Sequence, residues 1–339
     1  MSLRNSIESA QNEFEANTDI GDRRKHGQFF TPIEMATEIS DYGVSLLKDD
    51  VRYLEPAFGM GAFYYAIKNV AGQRLIDAIG IEQDDSLFQS AKKLWSESDI
   101  NLIHADYTLL PVDRKVNLLI TNPPYVRHHL LDSSQKTLLK KKVKQETGLN
   151  ISGLSGLYCY FLLMSDKWLA EGGISGWLIP SEFMDVNYGK CIKEYLLKQV
   201  RLFRIHRYDP SNSQFEDALV SSCVVWFKKE KTEEDYDVEF TFGGTHQNPE
   251  IRRNVKKSVL LSEGKWTRFP EKEIRIISDR KSLKDYFDIK RGLATGDNDF
   301  FIMTREQSSS QTLLFFITKR LRLVTKGNQY QMYTKILCY

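Results

Sequence analysis

Asn122, Pro123, Pro124 and Tyr125 end an apolar run, Val116–Thr121, with a side-chain amide, two φ-fixing rings and a phenol. The Asn122 amide oxygen and the Pro123 carbonyl are both hydrogen-bond acceptors. Two acceptors aimed at the two hydrogens of an exocyclic amine on a base would draw its lone pair out of the ring and expose it to an electrophile. Pro124 stiffens the turn, and the Tyr125 ring offers a face on which a base can stack, worth ~1–3 kcal/mol. The same four residues also read as an Asn-Pro turn closing a strand. No cysteine follows a proline, as a cytosine-C5 nucleophile would require. The His-x-Glu and Pro-Cys-x-x-Cys pattern of zinc deaminases is also missing. His128 and His129 are adjacent, so they point apart on an extended chain. They read as surface or backbone contacts, and no metal is expected.

Upstream, "YLEPAFGMGAF" (53–63) places an acid, a proline and two glycines between a strand-like run and a helical one. In open α/β sheets, ligands bind outside the carboxyl ends of strands, where glycine permits close backbone approach. A dinucleotide fingerprint needs a third glycine where Tyr64 stands, and Glu55 would repel phosphate. Glu55, Pro56, Gly59 and Gly61 instead suit a cationic group such as the α-amino group of S-adenosylmethionine; a plain strand-to-helix turn is the competing reading. Glu82, at the next strand end, stands where an acid receives ribose hydroxyls. Asp106, at the third, can accept a hydrogen bond from an adenine amino group, and Tyr107 beside it offers an apolar face. Three successive strand ends finishing in acids point to an adenosyl pocket.

The elements that must hold these residues alternate along the chain. Strand-like runs are Tyr53-Leu54, Ala78–Glu82, Leu102–Ala105, Val116–Thr121, Ile174–Pro180 and Val220–Phe227. Helical stretches fall at Pro32–Leu47 (with Thr31 as its cap), Ala62–Val70, Leu87–Trp95, Leu157–Ala170 and Lys190–Leu197. This rhythm predicts an α/β fold: a doubly wound, mostly parallel, Rossmann-like sheet with helices on both faces. The rhythm breaks near "KKEKTEEDYD", so the predicted division is an N-terminal helical segment (1–50), a catalytic domain (51–230) and a connection with a partial C-terminal domain (231–339).

At 339 residues the chain can bury a large core, and 41% hydrophobic with 27% charged residues is the composition of an ordinary soluble protein. A net charge of +2 restricts any nucleic-acid surface to local patches, of which Lys136–Lys144, Arg201–Arg207, Arg252–Lys257 and Lys319–Lys326 are candidates. Each also reads as a solvated face. Four scattered cysteines suggest neither disulfides nor zinc. No apolar run approaches the ~20 residues of a membrane span. The N-terminus lacks a signal sequence, so no membrane partner and a cytoplasmic location are expected.

Taken together, these segments resemble the adenine-N6 DNA methyltransferases of bacterial restriction–modification systems, in their gamma order of cofactor segment, catalytic segment and C-terminal recognition region. "GQFFTPIEMA" (27–36) is similar to that family's N-terminal cofactor segment, which implies that Thr31 contacts the methionine carboxylate. "EPAFGMG", "GIE" and "AD" resemble its glycine, ribose and adenine segments, with Phe58 and Met60 in place of the usual small or polar residues. Asn122–Tyr125 matches its catalytic segment in full. "SQFEDALVSSCVVWF" (213–227) is similar to the segment where a phenylalanine, here Phe215, stacks on an extruded adenine opposite the tyrosine; Phe215 also reads as a core residue. "SLKDYFDIKRGLATGDNDFFI" resembles the opening of the recognition domain, with Arg291 available for phosphate. Relatives continue well beyond this point, so the recognition region reads as incomplete.

The resemblance implies methyl transfer from S-adenosylmethionine to adenine N6 in flipped-out double-stranded DNA, with a cognate restriction endonuclease or recognition subunit as partner and no metal. Two other functions fit the residues. The same tetrapeptide serves methyltransferases acting on RNA bases or protein glutamine, and a non-catalytic DNA-binding subunit is the reading from a different class.

Overall fold

The structure, a computed structural model, describes residues 2–209 and 221–270, together with the backbone of four short strands beyond residue 315. The chain divides into two compact units, 1–272 and 273–339. In the second, Phe316–Ile317 pairs antiparallel with Leu337–Cys338, and Arg322–Val324 with Gln329–Gln331.

The first unit is built on one nine-stranded sheet. Its strands are β1 (Val51–Glu55), β2 (Leu75–Glu82), β3 (Asn101–His104), β4 (Val116–Thr121), β5 (Leu169–Pro180), β6 (Arg201–Arg207), β7 (Ser222–Lys228), β8 (Asp237–Phe242) and β9 (Ile251–Lys256). They lie in the order β3-β2-β1-β4-β5-β7-β6-β8-β9. The first five pair in parallel. β7 is antiparallel to both of its neighbours, β5 and β6, and β9 is antiparallel to β8. The chain turns back across the sheet between β1 and β4, so their carboxyl ends flank the crevice where open α/β sheets bind ligands.

Helices are α1 (Leu3–Asn17), α2 (Ile20–His26), α3 (Ile33–Ser45), α4 (Ala62–Ala71), α5 (Asp85–Leu94), α6 (Ser133–Thr147), α7 (Leu157–Met164), α8 (Lys190–Lys198) and α9 (Lys257–Ser262). The central strands, β1, β4, β5 and β7 among them, bury both faces, which explains their continuous apolar runs. Tyr53, Leu118 and Ile120 pack with residues of α3 and α4, whereas Leu54, Val116 and Leu119 pack with α6, α7 and α8. The expected doubly wound α/β fold is therefore present. No helix among the described residues is long and apolar enough to cross a membrane.

Several local expectations are corrected. The helix expected over 157–170 stops at Met164, and β5 already begins at Leu169. Arg201–Arg207, read as a basic patch, is an interior strand: Arg204 is 3% exposed and His206 fully buried. Arg252–Lys257 overlaps the edge strand β9, whose cations keep an exposed edge soluble. Lys136–Lys144 lies within α6, started by a capping box between Asp132 and Gln135 and seated through Leu139 and Val143. Thr31 does not cap α3: Pro32 holds that position without a side-chain cap bond. The sheet also runs through the expected boundary at 230, because β8 pairs with β6 and β9 with β8. The patch at Lys319–Lys326 and the segment containing Arg291 lie outside the described side chains.

Candidate active site

Asn122 follows the carboxyl end of β4, and the segment between α2 and α3 determines how its amide is turned. Its Nδ2 donates to the Phe29 carbonyl at 3.0 Å and to Thr31 Oγ1 at 3.1 Å. The Phe29 carbonyl only accepts, so a flipped amide would set oxygen against oxygen there. With both amide hydrogens engaged, Oδ1 is left buried and without a hydrogen-bond partner among the described residues. An unmet buried acceptor costs ~1–3 kcal/mol unless a ligand supplies the donor.

The same segment clamps the turn that follows. Tyr125 N–H donates to the Gly27 carbonyl at 3.1 Å. Gly27 caps α2 in the left-handed region at φ 67°, and a Cβ there would stand 2.3 Å from the Tyr125 nitrogen. Only glycine lets these two backbones meet. The Tyr125 ring leans on Phe29, with centroids 5.9 Å apart, and its hydroxyl donates to the Leu178 carbonyl at 3.0 Å. Burial pushes the phenol well above its ordinary range, so it remains a neutral donor. Pro123 is buried and Pro124 half-buried in this turn.

Across the crevice lie the three acids. Glu55 is 2% exposed and accepts from Tyr64 N–H at 3.2 Å. Burial raises its carboxyl well above the usual range, against the hydrogen bonds from Tyr53 and Tyr64 that favour the charge. Glu82 binds the glycine loop directly: Oε2 accepts from Gly59 N–H at 2.8 Å, and Oε1 from the amides of Gln83 and Asp84. Burial raises its pKa too, opposed by those three bonds. Asp106 Oδ1 accepts from the Thr108 amide and hydroxyl, so a ligand amino group would use its other oxygen. None of the three acids forms an ion pair among the described residues. Glu55 and Glu82 are buried and Asp106 half-buried, and buried carboxylates without a cation suit a ligand that brings one. Gly61 lies where a Cβ would strike the Phe58 ring at 2.6 Å, and Pro56 is buried at the start of the loop.

Tyr107 is a correction. It is 1% exposed and packs against Phe161 and Trp168 in the core, so it presents no face to the crevice. Its ring follows the apolar demand of the sheet face beneath α7. Phe215 lies outside the described residues. Gly27 and Phe29 are not legible as individual site residues; their signal is the unbroken "GQFFTP" string around Thr31.

Beyond Tyr125 a cleft of about 690 Å³ opens, lined by Phe29, Tyr125, Tyr158 and Pro180, with Arg24, Lys25, Arg127, His128 and His129 also on its walls. Leu130 and Leu154 line it as well and are 42% and 60% exposed. The cleft has an apolar, aromatic floor, and its walls carry three cations, Arg24, Lys25 and Arg127, and one carboxylate, Glu182.

The model of the Eco57I restriction-modification methylase family matches residues 34–215. The Type II methyltransferase M.AccI of Acinetobacter calcoaceticus is 30% identical over 315 residues, covering 88% of this chain and 56% of that protein. The chain spans about half the length of the curated relatives it matches. In fold it is similar to the type IIG restriction endonuclease BpuSI, with TM-score 0.57 and 18% identity over 69% of this chain and 31% of that one. It is also similar to the methyltransferase subunit of a type I restriction-modification system from Streptococcus thermophilus, with TM-score 0.54 and 17% identity over 63% of this chain and 47% of that one.

Proposed function

The chain belongs to the Eco57I restriction-modification methylase family, and from that premise we propose that it methylates adenine N6 in double-stranded DNA. The observation that carries this reading is the bare, buried Asn122 Oδ1, held in one orientation by Phe29 and Thr31. An adenine amino group offers the two hydrogens that Asn122 Oδ1 and the Pro123 carbonyl would accept. Accepting both favours a pyramidal nitrogen, whose lone pair becomes available for attack.

S-adenosylmethionine supplies an electrophilic methyl group on a sulfonium. Glu55, Glu82 and Asp106 would hold it, through its α-amino group, ribose and adenine respectively. With it bound, Asn122 and Pro123 would hold the N6 lone pair toward the methyl group, which would pass from sulfur to nitrogen while an N6 proton went to solvent. No covalent bond to the enzyme is formed.

A duplex-embedded adenine cannot reach Asn122, so the base is extruded, at a cost of a few kcal/mol. Tyr125 offers one stacking face, and Phe215 is our candidate for the other. The cations around the cleft would hold phosphates, and a cognate endonuclease or recognition subunit would complete the system.

The test is transfer of labelled methyl to duplex DNA, to RNA and to a glutamine-bearing protein, with a recognition partner added and nucleosides resolved after digestion. N6-methyladenine from duplex DNA is expected. Label only in RNA, in protein or in cytosine overturns the reading.

A further inference from the structure

Outside the crevice, two buried histidines and a glutamate meet where α3, β6 and the chain following β8 come together. Both imidazoles are fully buried, with ring centroids 4.3 Å apart. His206 Nδ1 bonds Thr241 Oγ1 at 2.9 Å, and His246 Nδ1 bonds Glu38 Oε1 at 2.6 Å. Both Nε2 atoms lack any partner among the described residues. A neutral imidazole whose Nδ1 carries the shared proton keeps a bare lone pair on Nε2. Two such lone pairs, sealed from water, leave the cluster chemically incomplete.

We propose that Glu38, His206 and His246 bind a divalent transition-metal ion of the zinc class. One nitrogen of each ring and one carboxylate oxygen already lie within 4.8 Å of one another. Zinc bonds of ~2.0–2.1 Å place tetrahedral ligands roughly 3.3 Å apart, so side-chain rotation would close the wider spacings while the ion replaced the proton that His246 and Glu38, 2.6 Å apart, now share. Two imidazoles and a carboxylate match the ligand preference of zinc, and Thr241 supplies the outer hydrogen bond that orients a ligating ring.

Arg204 is the charge that opposes a cation here. It is compensated by Glu239, 3.0 Å from its Nε, and its guanidinium lies 4.6 Å from the Tyr42 ring centroid. The Glu38 side chain retains 17% exposure, so an ion can enter from that side. Once bound, it would fasten α3 to the sheet. The role is structural and does not depend on which base is methylated.

The experiment uses the full chain carrying no polyhistidine tag. It is equilibrated with Zn²⁺ and freed of excess, and its metal content and thermal midpoint are then measured. About one zinc per chain is expected, with a midpoint that rises with Zn²⁺ and falls on chelation. Co²⁺ in its place should give the visible bands of a four-coordinate N/O site. Glu38→Gln and His246→Gln should each lose most of the bound metal. Wild-type chain that retains no zinc and shows no response to Zn²⁺ or chelator overturns the proposal, as does unchanged stoichiometry in Glu38→Gln. Should His246→Gln fail to fold, the wild-type Co²⁺ spectrum and the part-exposed Glu38 variant still decide.

Discussion

Asn122 donates to Thr31 Oγ1 across 91 positions of sequence, so the amide proposed to do the chemistry is aimed by a threonine in the segment between α2 and α3. Thr31→Val keeps the shape and removes the acceptor. Losing one of two orienting bonds should slow methyl transfer by roughly 2–10-fold, from a net bond worth of ~0.5–1.5 kcal/mol, while DNA affinity is held. Single-turnover rates at saturating DNA check this.

Asn122→Ala removes the acceptor itself. Transfer should fall by about 10²–10³-fold or more, by analogy with loss of one preorganised polar group. Cofactor affinity, measured by calorimetry, should stay within a few-fold. Loss of cofactor binding instead would mean that Asn122 belongs to the cofactor site.

Gly27→Ala tests the clamp. The new methyl would meet the Tyr125 nitrogen at 2.3 Å, on a backbone already in the left-handed region. A strained φ alone costs ~1–3 kcal/mol, and the clash must move Asn122–Tyr125 or α2. The expected result is a lower thermal midpoint together with a larger loss of kcat than of cofactor affinity.

Glu55 predicts a pH effect whose sign is fixed by burial. Its folded pKa lies above its unfolded one. As pH rises through that window the unfolded chain ionises first, so stability without ligand falls, then levels off above the folded pKa. Binding a cationic amino group favours the ionised form, so cofactor affinity rises over the same window. Glu55→Gln should flatten both profiles and weaken binding by roughly 10–150-fold, the equivalent of ~1.5–3 kcal/mol. Calorimetry across pH reads both terms.

Arg24 and Arg127 line the cleft beyond Tyr125. If they hold phosphates, each alanine substitution should weaken DNA binding uniformly across sequences and reduce the salt slope by about one. A change confined to one sequence would make them base readers instead.

The site residues were legible in proportion to how local their causes are. Asn122, Glu55 and Glu82 stand at strand ends, and a strand end is visible as the place where an apolar run meets a polar turn. Tyr107 is ambiguous in sequence because a tyrosine just past such an end can turn either way, and only the Phe161 and Trp168 packing decides. β6 is hidden for a related reason. Its arginines look solvated in sequence, but Arg204 is neutralised by Glu239, which lies on β8. A partner that far along the chain leaves no local trace. Gly27 belongs to the same class, since its need for no side chain comes from Tyr125.

The pairing of β6 with β8 also bears on what counts as one working piece of this protein. A chain ended at residue 230 would retain the crevice residues and strip β6 of its outer neighbour, leaving a row of unmet amides and carbonyls beside His206. Such a fragment would carry its own template for sticking to copies of itself. The piece that holds together is therefore the whole sheet with Leu260, Trp266 and Phe269 packed into its core, and a cut in the chain is best tolerated beyond residue 272.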